Sequence, residues 1–75
     1  MAKVDVAVLA AEYLAEAETL KQRYEALAAR VGGYRGDEAM VARRKMNVFY
    51  AMYLECRSTG RYLYKCAQEA AECVH

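Results

Sequence analysis

Three observations predict an all-α fold in which two long helices fold back on each other as an antiparallel hairpin. The chain has 75 residues and no proline, and its abundant alanine favours helix over sheet. Its one cluster of helix breakers is Gly32-Gly33-Tyr34-Arg35-Gly36. On both sides of that cluster, apolar or small residues recur at alternating spacings of four and three, the seam pattern of a coiled-coil-like pair.

The first helix is expected over about residues 4–31, the turn over 32–36 and the second helix over about 37–74, all in a single domain spanning 1–75. Gly32 suits a left-handed position just past a helix end, and Arg30 in the preceding turn suits the negative end of the helix dipole. Asp37 offers an N-cap side chain to the second helix, and Glu38 adds favourable charge to its first turn. The seam of the first helix reads Val6, Ala10, Tyr13, Ala17, Leu20, Tyr24, Leu27 and Val31. That of the second reads Ala39, Ala42, Met46, Phe49, Tyr53, Cys56, Gly60, Leu63, Ala67, Ala70 and Val74. Ser58-Thr59-Gly60 is a weak point, but the pattern crosses it without a phase shift, and one glycine costs a helix only about 1 kcal/mol. One continuous helix is expected there. Leu63, near Gly60, is expected to be a tight seam position.

The hairpin alone is a poor solution. A chain this short struggles to bury enough surface to stabilise itself, and its composition is 57% hydrophobic, above the usual range of about 45–50%. The second helix carries more apolar surface than one seam uses. Val48, Met52, Tyr62, Cys66 and Cys73 form a second strip turned away from the first. Folding about Tyr34 would also leave the second helix overhanging the first by about ten residues, or about 15 Å. Two hairpins packed as a homodimeric four-helix bundle would use both features.

A net charge of +1 singles out neither nucleic acid nor a membrane as a partner, and no stretch approaches the length of a membrane span. The three cysteines, Cys56, Cys66 and Cys73, lie on one helix, too far apart along its axis for internal disulfides. A reducing, cytoplasmic setting is the simpler expectation.

Candidate chemistry is sparse, and no cofactor is implied. The cysteines and His75 lack the spacing of three or four that places two metal ligands on one helical face. Glu12 and Glu16 sit one turn apart but lack the Glu-x-x-His partners of a di-iron site, and the sole histidine is the last residue. No catalytic set is visible, so the chain is expected not to be an enzyme. Tyr34 in the turn reads equally as a recognition tip or as a lid on the core. A basic-aromatic stripe on the second helix, with Arg43, Tyr50, Arg57, Arg61 and Tyr64, has the residues to hold phosphates and stack bases. The plainer reading is charge balance with the first helix, with Glu12 near Arg57 and Glu25 near Arg43. The expected function is a protein–protein interaction and oligomerisation module, with a small dimeric nucleic-acid-binding regulator as the alternative.

Overall fold

A computed structural model describes the backbone of residues 5–73 and the side chains of residues 5–70. The chain forms two α-helices, α1 (Val6–Val31) and α2 (Asp37–Cys73), packed against each other as an antiparallel hairpin. Asp5 caps α1, its Oδ1 accepting from the Ala7 N–H at 3.0 Å. This supplies a partner for one of the amide groups a helix start leaves unpaired. It also explains a start two residues later than the periodicity suggests; Val4 itself lies outside the described residues.

The turn differs from the expectation in two ways. Gly32 keeps helical angles (φ −62°), and the left-handed residue is Gly36 at φ 61°. The α1 end closes tightly instead, with the Gly33 N–H donating to the Arg30 carbonyl and the Tyr34 N–H to that of Val31, both at 3.0 Å. At the start of α2, the Gly36 carbonyl accepts from the Met40 N–H at 3.2 Å. Gly36 is therefore the residue that opens the helix, and Asp37 and Glu38 lie inside its first turn. There their charge still meets the positive end of the helix dipole. Ser58, Thr59 and Gly60 run within α2 without a break.

The seam lies where the periodicity places it, except that Val6 and Tyr13, at 36% and 37%, are exposed. Ala10, Ala17, Leu20 and Ala42 are buried, as is Gly60, while Tyr24, Leu27, Val31, Met46, Phe49, Tyr53, Cys56 and Leu63 are half-buried. Among the described residues Leu20 is the one large side chain fully enclosed, at 1% exposure, whereas Leu63 is not fully covered. Small residues set the approach of the helices. A methyl group on Gly60 would sit 2.8 Å from Cγ and Cδ2 of Leu14.

That contact and the Tyr24–Tyr50 ring pair (centroids 5.5 Å apart) centre the pairing on residue 37 and not on Tyr34. The level of Val6 then falls near residue 68, so α2 extends about five residues past it, roughly half the expected overhang. The turn, with two hydrogen-bonded steps after Val31, takes up more chain than a symmetric fold about Tyr34 allows. Ala70 is exposed, and Val74 and His75 lie outside the described residues.

Candidate interaction surfaces

Two helices make one layer. The molecule measures 61 × 24 × 14 Å with a radius of gyration of 17.1 Å, against about 11 Å for a compact chain of this length. Both broad sides of the layer therefore face outward, and they differ in chemistry.

The first side carries the apolar strip. Val48 is 55%, Met52 44% and Tyr62 67% exposed, and Cys66 is half-buried. Cys73 occupies the next position along α2, but its side chain lies outside those described. Cys66, one turn after Tyr62, raises the Tyr62 hydroxyl above the ordinary phenol range, first through a side-chain hydrogen bond and then through charge. On the same side a hollow at the turn end is walled by Leu27, Tyr34, Val41 and Ala42, with Lys45 at its edge. Tyr34 is half-buried and lines this hollow. Nearer the start of α1, Leu9, Tyr13 and Cys56 line a second hollow beside Glu12 and Glu16.

The second side carries the basic-aromatic stripe, whose members do not all stand free. Tyr50 packs against Tyr24 and, at 6.0 Å, against Tyr53, and the Arg57 guanidinium lies 6.0 Å from the Tyr53 ring centre. Such ring and cation–π contacts tie Tyr50 and Arg57 into the hairpin itself. Lys21 and Glu25 complete the hollow around them. Arg43, Arg61 and Tyr64 remain exposed. Sequence periodicity places Tyr50 on the stripe, with Tyr53 one turn along the same helix, but gives no hint that Tyr24 reaches it. That follows from the true register of the two helices.

The expected cross-helix charge pairs do not form. Glu12 makes no ion pair with Arg57, nor Glu25 with Arg43; among the described residues the one ion pair is Lys65–Glu69, at 4.0 Å and exposed to solvent. Glu12 lies instead beside Cys56, and Glu25 lies near Arg57 without reaching it. The arginines of α2 are therefore left with solvent or a partner to satisfy them.

Among the described residues no three His, Cys, Asp or Glu side chains converge, and no helix is long and apolar enough to cross a membrane. No protein-family model, curated protein or solved structure matches the chain.

Proposed function

We propose that the chain is a non-enzymatic interaction module, a helical hairpin that dimerises with a second copy of itself into a four-helix bundle and serves by binding protein. One observation carries the reading. The chain exposes 6102 Å², whereas a compact monomer of its mass exposes about 4,700 Å². The excess, about 1,400 Å² on one chain, is more than the roughly 800 Å² that each partner of a standard interface removes from water. Among the described residues the buried apolar core is Leu20 with three alanines, too small to stabilise a lone domain. The free thiols Cys56 and Cys66 suit a reducing, cytoplasmic setting.

Light scattering on a sizing column, in reducing buffer, should give at least twice the 8.5 kDa chain mass. A folded, stable monomer at micromolar concentration would remove the basis of the proposal.

One observation favours a second reading, binding of nucleic acid through α2: Arg43 and Arg61 are exposed and have no acidic partner among the described residues. Its weakness is that Tyr50 and Arg57 are engaged within the hairpin. An anisotropy titration with single-stranded RNA and duplex DNA separates the two. Submicromolar binding at physiological salt, lost in a still-folded Arg57→Glu/Arg61→Glu variant, would favour nucleic acid. Such binding would also weaken steeply as salt rises.

A further inference from the structure

The geometry points to a head-to-tail dimer, in which the apolar side of one hairpin lies antiparallel on the same side of a second copy, α2 against α2 and α1 against α1. This rests on the dimer proposed above and adds the face, the direction and the register.

The hollows show which flanks of the two helices share a side. Leu27 lies with Val41 and Lys45, and Leu9, Glu12 and Glu16 lie with Cys56, while Lys21 and Glu25 lie with Tyr50 and Arg57 on the opposite side. On α2 the apolar side continues at alternating spacings of three and four through Lys45, Val48, Met52, Glu55, Thr59, Tyr62, Cys66 and Glu69. Two such strips packed antiparallel must interleave in a fixed register. One register opposes Val48 to Cys66, Met52 to Tyr62, Glu55 to Thr59 and Lys45 to Glu69. Apolar groups then meet apolar groups, and each unlike pair forms twice. Glu69 already has Lys65 on its own helix, 4.0 Å away and in solvent, a contact too weak to hold it. Packed parallel, the same strip sets Lys45, Glu55 and Glu69 each against its own copy, three like-charge layers.

The matching flank of α1 gives an independent answer. Packed antiparallel on itself, it opposes Asp5 to Arg30, Leu9 to Ala26, Glu12 to Arg23 and Glu16 to Thr19. Packed parallel, it stacks Glu12, Glu16, Arg23 and Arg30 each on its own copy. The α1 pairing requires a twofold axis between residues 17 and 18, and the α2 pairing requires one at residue 57. The hairpin register, with Leu14 facing Gly60 and Tyr24 facing Tyr50, already sets residue 57 across from residue 17. Two strips and the intrachain register thus agree on one axis. The other side of the layer has no such solution, because Arg43, Arg57 and Arg61 of its α2 stripe face no acid on that stripe. Each exposed pair is weak, but the contrast between attraction and repulsion over several layers sets direction.

Disulfide trapping tests this, with light scattering on every sample. Val48→Cys should cross-link rapidly under mild oxidation, with peptide mapping locating the bond between position 48 and Cys66 of the other copy. Val48→Cys with Cys66→Ser should lose that link, whereas a parallel dimer would retain one between the two copies of position 48. In the native sequence Cys66 should not link to its own copy, about 27 Å away along the helix in this register. A second measurement avoids thiols. Lys45→Glu should raise the dimer Kd about tenfold, and Glu69→Lys added to it should restore the original value. A monomer by light scattering would overturn the assembly itself. A dimer that links through paired copies of position 48 or Cys66, or that ignores the charge swap, would overturn this face and direction and leave the assembly standing.

Discussion

At Gly60 the two helices approach closely, and replacing it with alanine sets two known effects against each other. Alanine within a helix is favoured over glycine by about 1 kcal/mol. The added methyl, however, would lie 2.8 Å from Leu14 Cγ and Cδ2 and 3.2 Å from the Leu14 backbone nitrogen, where carbon contacts are best at about 3.5–4.0 Å. Leu14 is partly exposed and can swing Cδ2 aside, but Cγ and the backbone nitrogen clear only if the helices move apart. Overpacking of this kind costs about 1–3 kcal/mol. Gly60→Ala should therefore destabilise by about 0–2 kcal/mol despite its better helix propensity. In a Leu14→Ala background the two closest atoms are gone, and the same change should be neutral or stabilising by up to about 1 kcal/mol. The coupling between the sites should be about 1–3 kcal/mol. Urea denaturation followed by circular dichroism measures it, at one protein concentration because self-association adds stability by mass action. A Gly60→Ala protein more stable by about 1 kcal/mol in the native sequence, or an equal effect in both backgrounds, would show that no close approach exists at this position.

Leu20→Ala should cost about 2–5 kcal/mol, as for a fully enclosed leucine, and Leu63→Ala should cost less, because Leu63 is only half-buried; the same denaturation series ranks them. Gly36→Ala should lose about 1 kcal/mol, since φ is 61° there, whereas Gly32→Ala, at φ −62° with open space around it, should be neutral or gain about 0.4–1 kcal/mol. Thermal melts of the two proteins side by side, at matched concentration, read the difference.

The helices and their seam were legible in the sequence because a 4-3 repeat of small and apolar residues has few other ways to be buried. Continuity through Gly60 was legible for the same reason: the phase did not reset. The turn was less so. Several glycines in five residues leave open which one takes the left-handed angle, and the choice of Gly36 over Gly32 depends on how tightly the end of α1 closes. The error in register followed from that turn. Glu12 and Arg57 do not pair because they lie on opposite sides of the layer, Glu12 beside Cys56 and Arg57 beside Tyr50 and Tyr53. The apolar strip of Val48, Met52 and Tyr62 was readable from periodicity, and its exposure is as expected for a hairpin taken alone. The Tyr50–Tyr24 contact was not readable, because it depends on Tyr24 arriving from the other helix, whereas the contacts of Tyr53 with Tyr50 and Arg57 lie within α2 at spacings of three and four.

A hairpin with one bend also has a direction in which it can be assembled. Its facing pairs are nested: Tyr24 with Tyr50 nearer the bend, then Leu14 with Gly60. Closing the outermost pair first would require a loop of some forty-five residues, whereas closing it after the inner ones requires only the few residues between successive layers, and loop entropy grows with length. Loop entropy therefore favours chain closure outward from Gly36, each layer placing the next within reach. The seam is expected to be put together from the bend toward the start of α1.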